Sequence, residues 1–301
     1  MVIERRVKRA RRIYAVDVVY RALTDFSEQR GSVSAAAISY YAIFSLMPML
    51  IFVAAIFGFV SRGTDLQTRV IGAILNQVPP SAGYRDDIQN VVSISAPQGG
   101  LLALFGFIGT IWTASNIFTV LRRALNQAFD IPNARPFITG RLVDMLSVLV
   151  VGLLVLMSIG ATAALGILRA VSSDIFQGWL INSGWAVVFF LLPFVLSFGV
   201  FMMIYRVVPN RQIGRRDRTI GAILAALGFE FVKIGFTIYI ANFGSYQQVY
   251  GAIGGIIAFL VFLHLESTIV IVSAEIAGEL AKDRDLAETA ARRPRQIWPV
   301  V

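Results

Sequence analysis

Residues 251–277 read GAIGGIIAFLVFLHLESTIVIVSAEIA, with only His264, Glu266 and Glu275 ionisable. A hydrocarbon core of about 30 Å is crossed by about 20 helical residues, so this run is long enough to span a membrane. Five more runs of the same kind precede it, at 33–60, 99–121, 142–168, 183–208 and 219–241. None alternates apolar and polar residues over about ten positions, as the strands of a membrane barrel do. The expectation is an all-α, polytopic membrane protein with six transmembrane helices plus amphipathic helices at its surfaces. Pro48 and Pro193 fall inside the first and fourth runs and are helix-kink candidates.

Composition agrees with this reading. Hydrophobic residues make up 56% of the 301-residue chain and charged residues 15%, with a mean hydropathy of +0.70. That exceeds the roughly 45–50% apolar content of soluble domains, so a soluble core could not absorb it. Cysteine is absent, which excludes disulfides, thiolate metal sites and cysteine nucleophiles.

A net charge of +9 could suggest nucleic-acid binding, but the basic residues are ordered along the chain. Eight lie in the N-terminal tail, four in 122–141, five in 206–218 and five in 282–295, against Arg62, Arg69, Arg85 and Arg169 on the opposite side. Lys233, inside the fifth run, completes the 27. The positive-inside rule places both termini in the cytoplasm and accounts for the basic balance without nucleic acid.

Three parts follow: a basic amphipathic segment over 1–31, a membrane domain over 32–278, and a cytoplasmic tail over 279–301 expected to be disordered. In the first part Ile13, Val16, Tyr20 and Leu23, with Val19 and Phe26, repeat at helical spacing, and Arg12, Asp17, Arg21 and Asp25 take the other side. That predicts a helix lying on the cytoplasmic membrane surface. The longest outer loop, 61–98, carries a stripe of Leu66, Val70, Ile74 and Val78 ended by Pro79 and Pro80, which predicts a lid on the outer surface. A second short helix is expected around Ile88, Val91 and Val92.

Each ionisable group inside a membrane costs about 2.5–3.5 kcal/mol on insertion scales and calls for a partner or a wet cavity. Glu230 and Lys233, three apart in the fifth run, share a helix face and neutralise each other, either as a plain intrahelical ion pair or as the polar floor of a cavity. His264 and Glu266, two apart in the sixth, fall on different faces. His264 reads as a packing residue or a proton relay, and Glu266 as a partner for Lys233. Glu275 sits one turn from the cytoplasmic end, where snorkelling or a loop arginine accounts for it. No HExxH, GxSxG or Walker A motif is present, and the chain holds one histidine, so neither an enzyme nor a cofactor is expected.

From Tyr40 onward the chain resembles the BrkB/YihY family of bacterial inner-membrane proteins, some of which carry an older ribonuclease BN label. The resemblance rests on Tyr40-Tyr41-Ala42-Ile43-Phe44-Ser45-Leu46-Met47-Pro48 and on Gly109-Thr110-Ile111-Trp112-Thr113-Ala114-Ser115 continuing to Ala124-Leu125-Asn126. Tyr205 with Pro209, Gly221-Ala222, Tyr250-Gly251 and Ser273-Ala274-Glu275 extend it, the last in place of the family's usual Gly-Ala-Glu. Asn126 and Glu275 are thereby candidates at the cytoplasmic end. The resemblance implies a six-helix inner-membrane protein, with envelope lipid handling and virulence suggested for some members. Nuclease chemistry needs clustered carboxylates or histidines on a metal, or a comparable acid and base pair, whereas the cytoplasmic loops show only isolated Asp130 and Asp217.

The expected function is movement of a phospholipid or another anionic amphiphile across the inner membrane, through Glu230, Lys233, His264 and Glu266. A small-solute transporter or channel and a non-transporting envelope scaffold are the alternatives. The expected partners are membrane lipids, with room for a homo-oligomer or an envelope protein and none for nucleic acid.

Overall fold

The computed structural model describes the backbone over residues 2–60, 84–132, 135–175, 179–211, 213–243 and 247–292, and side chains over 14–56, 100–132, 135–157, 191–211, 213–240 and 254–289. Among the described residues there are seven helices and no strand: α1 (Val2–Glu28), α2 (Gly31–Val60), α3 (Tyr84–Ala128), α4 (Phe137–Ile175), α5 (Trp179–Val207), α6 (Arg215–Phe243) and α7 (Gln247–Arg292). Five stretches are long and apolar enough to cross a membrane: Gly31–Ile56, Gly100–Ala128, Phe137–Met157, Arg215–Ile240 and Gly254–Thr289. The fourth expected span is represented by a shorter apolar helix, Leu191–Val207, because the side chains of its first half lie outside the described residues. The chain is therefore a polytopic helical membrane protein, with five full-length spans among the described residues.

Two expectations change. Residues 84–98 do not form a separate short helix at the outer surface: their backbone is continuous with the following span in one 45-residue helix, α3. The tail is helical as far as Arg292, because α7 runs on past the last apolar turn through Glu279, Lys282, Asp283, Arg284 and Asp285. The rest of that tail, 293–301, lies outside the described residues, as do 61–83 with Leu66, Val70, Ile74 and Val78.

The chain divides into two compact units, residues 40–117 and residues 1–39 with 118–301. In the first, α2 and α3 approach closely where glycine removes the side chain. A Cβ built on Gly106 would lie 2.7 Å from the Phe52 backbone nitrogen, and one on Gly109 would lie 3.2 Å from Pro48 Cβ. Such small-residue contacts replace the hydrophobic drive that lipid does not supply. Thr110 and Thr113 turn their hydroxyls back to the carbonyls of Gly106 and Gly109, each at 2.7 Å, so the apolar segment carries no orphaned donor there. Both Pro48 and Pro193 sit inside unbroken helices.

In the second unit α7 packs along α6, α6 on α5, α5 on α4, and α1 on the late turns of α7. Its centre is built from small residues, Ala222, Ala225 and Ala226 of α6 and Ala274 and Ala277 of α7, with Tyr205, Leu125 and Ile271 as the large fully buried side chains. α3 ends in a six-to-one closure, Ile131 N–H donating to Asn126 O at 2.8 Å and Asp130 N–H to Gln127 O at 3.0 Å. Asp130 takes the left-handed position, φ 48°, that glycine ordinarily fills. The outside of the described spans is apolar, with Phe231, Phe137, Leu142 and Ile223 exposed, while Asp144, Ser147, Glu266, Ser267 and Glu275 are buried. That distribution suits lipid as the surrounding solvent.

Candidate functional site

Glu230 and Lys233 form the ion pair that their spacing on α6 predicts. Ser197 of α5 donates its hydroxyl to Glu230 Oε1 at 3.0 Å, and the Lys233 ammonium lies 5.6 Å from the Phe229 ring centroid. Lys233 remains 40% exposed and Glu230 20%. Lys233 is thus held by a carboxylate and an aromatic face of its own helix, with part of its surface open.

Glu266 of α7 is close enough to interact electrostatically with both Glu230 and Lys233, but the expected ion pair between Glu266 and Lys233 is not formed. Glu230, on the same helix turn, reaches the ammonium without any interhelical adjustment and takes it. Both carboxylate oxygens of Glu266 are buried without a hydrogen-bond partner, in a residue 8% exposed. His264 lies half-buried on the same helix, and its backbone carbonyl accepts from Thr268 Oγ1 at 2.8 Å. The structure therefore brings Glu230, Lys233 and Glu266 together and leaves His264 aside from their hydrogen bonds.

Asn126 and Glu275 serve a different place, the basic end of the same unit. Asn126 Oδ1 accepts the backbone N–H of Asn210 at 2.9 Å, and Arg135 Nη2 donates to Pro209 O at 2.8 Å, so the α5–α6 turn is pinned from both sides. Burial lowers the Arg135 pKa, and the neighbouring Arg122 guanidinium lowers it further. Tyr205 donates to Val270 O at 2.7 Å from a fully buried ring. Glu275 is 1% exposed, with Oε2 buried and unpartnered; its charged surroundings are Asp25, Lys282, Asp130 and Glu279. Snorkelling or a loop arginine does not account for this residue: it is enclosed, and its cationic neighbour is Lys282 of its own helix.

Three sets of interhelical ion pairs among the described residues, one buried and two half-buried, escaped the sequence reading. Arg122 of α3 gives Nε and Nη2 to Asp144 of α4, each at 3.0 Å, and Thr119 adds its hydroxyl at 2.7 Å. Arg284 of α7 holds Asp217 at the start of α6 through two bonds of 2.7 and 3.0 Å, so Asp217 is not isolated. Arg21 of α1 reaches Glu279 at 2.8 Å and Asp283 at 2.6 Å, and the bond to Asp283 raises its pKa above the ordinary arginine value. Asp130, too, is paired, with Lys282 at 2.8 Å. A signal for the first pair was present: Asp144 stands within an apolar run, one helical turn after Arg141 and 22 residues after Arg122.

Fold and site together define a polytopic helical membrane protein with a partly open charged cluster drawn from three of its helices. A family model described as virulence factor BrkB matches residues 22–297, and the chain belongs to that family. It is 30% identical to a protein of Bacillus subtilis named putative ribonuclease-like protein YfkH, over 87% of this chain and 94% of that protein. It is 30% identical to a UPF0761 membrane protein of Rhodospirillum centenum over 90% of this chain and 59% of that protein. A UPF0761 membrane protein of Nitrosospira multiformis is 31% identical over 90% of this chain and 62% of its own length. The chain thus spans about three fifths of these last two relatives. No solved structure matches it.

Proposed function

We propose that this protein moves a phospholipid or related anionic amphiphile between the leaflets of a bacterial inner membrane, with both termini on the cytoplasmic side. The observation that supports this is the buried carboxylate of Glu266, with neither oxygen partnered, beside the Glu230–Lys233 pair. A carboxyl so placed is costly to ionise, and a purely structural one would be expected to satisfy its oxygens with hydrogen bonds. In this reading a headgroup phosphate displaces Glu230 from the partly open Lys233, and Glu266 meets the headgroup's cationic part. The lipid-exposed apolar faces of α6 and α7, with Phe231, Ile234, Ile257 and Val261, carry the acyl chains alongside.

One observation favours a second reading. Glu230 and Lys233 already balance each other, so Glu266 is a carboxyl with no ion-pair partner of its own, which suits a small cation as well as a headgroup. We read the protein as non-catalytic in either case, and the ribonuclease-like name stays with YfkH. Among the described residues no group of three or more His, Cys, Asp or Glu could hold a metal ion.

Lipid exchange between leaflets, measured with fluorescent phospholipid in proteoliposomes against protein-free vesicles, tests the proposal. Exchange several-fold above the protein-free rate is expected. Cation flux without lipid exchange would replace it by the second reading, and neither activity would leave a scaffold.

A further inference from the structure

The charged face of α1 is engaged at Tyr14, Arg21 and Asp25, and its opposite face is apolar and exposed. Tyr14 Oη donates to Asp283 at 3.0 Å, Arg21 reaches Glu279 and Asp283, and Lys282 donates to Asp25 at 3.4 Å. Val18 and Ala22 are buried on this same side, 2% and 0% exposed. At 100° per residue, Val16, Val19, Tyr20 and Leu23 fall together on the other side. All four are exposed, Tyr20 at 71% and Val16 at 63%. The ion pairs therefore set the rotation of α1 about its own axis and turn the apolar stripe away from α7.

We propose that this stripe is a membrane-docking surface, inserted among the headgroups of anionic lipid in the leaflet next to the basic end of the protein. Two features select an anionic bilayer as the occupant. Arg5, Arg6, Lys8, Arg9, Arg11 and Arg12 lie in the same helix, and no acidic residue falls between Arg5 and Val16, which matches a negative surface in charge. Only Gln29 and Arg30 separate α1 from α2, and Arg30 makes the turn with φ 57°. α2 starts its membrane-length segment at Gly31, so the end of α1 is tied within two residues of the membrane surface. A helix with an apolar stripe and a cationic segment, tethered there, gains by burying the stripe at the boundary of headgroup and acyl chain.

The arrangement differs from a free amphipathic helix, whose polar side faces water. Here the polar side is neutralised by Glu279 and Asp283 of α7, so α1 carries its cationic segment to the bilayer with its ion-pairing side already satisfied.

Because the chain has no cysteine, single cysteines report position without background. Leu23→Cys and Tyr20→Cys, with Asp17→Cys and Glu28→Cys as references, would carry a fluorophore in full-length protein reconstituted with or without anionic lipid. Labels at 23 and 20 are expected to be quenched several-fold more by nitroxide-bearing lipid than by aqueous iodide, with the opposite order at 17 and 28. The contrast should weaken without anionic lipid, and Arg21→Glu, which breaks the pairs, should abolish its periodicity. Iodide access at 23 equal to that at 17 would overturn the proposal. Protection of 23 from both quenchers would also overturn it, in favour of a second copy or another protein on that face.

Discussion

Asp144→Ala lowers the stability of the protein by about 3–5 kcal/mol, the range expected when one partner of a buried ion pair is removed. Asp144 is 1% exposed and receives two bonds from Arg122 and one from Thr119. Its loss leaves a guanidinium 13% exposed with no acceptor for Nε or Nη2. Nη1 of Arg122 occupies the space over Gly140, at the start of α4, that a Cβ would otherwise fill. The cost arises from the charge left behind, so Arg122→Met together with Asp144→Leu should recover most of it. Retention of a monodisperse species after graded heating in detergent measures the single and double variants side by side. Equal loss in both would mean that the pair contributes through packing and not through charge.

Gly278→Val should be nearly as damaging, at the upper end of the 1–3 kcal/mol typical of overpacking or beyond it. A Cβ at this position would collide with the carbonyl oxygen of Ala128, which is backbone and not a movable side-chain tip. Ala128 is itself 1% exposed, and the end of α3 is closed by the bond from Ile131 N–H to Asn126 O, so the carbonyl has nowhere to retreat. Gly235→Ala in α6 is the matched control, since nothing lies within 4 Å of the added carbon. It should be neutral or slightly stabilising, because alanine favours helix over glycine by about 0.8–1.0 kcal/mol. The same heating experiment separates the two.

Much of this was legible in the sequence. The long apolar runs specify helices that lipid surrounds, and the i,i+3 spacing of Glu230 and Lys233 specifies their pairing. What escaped is what depends on distant partners. Arg21 meets Glu279 and Asp283 some 260 residues away, so the charges of 279–285 read as a solvated tail although they are one half of an interface. Arg122 counted as a topological marker, yet its side chain is mostly buried on Asp144. Glu266 was expected to pair with Lys233 across two helices, and the nearer Glu230 prevailed because a same-helix pair requires no interhelical fit. The family-resembling residues Asn126, Tyr205 and Glu275 are positioned at the basic end, where Asn126 and Tyr205 hold turns and helices in place; the sequence alone marked them without saying how.

The most direct test of the central claim is lipid exchange by Glu266→Gln compared with wild type, reconstituted at equal density in the same vesicles. Glutamine keeps the shape of the side chain and removes its ability to ionise, so a structural carboxyl and a transport carboxyl give different results. The account predicts that wild type exchanges lipid and that Glu266→Gln falls toward the protein-free rate while remaining folded and monodisperse. Wild-type exchange unaltered by the substitution would contradict it, because lipid would then cross without using the charged cluster of α6 and α7.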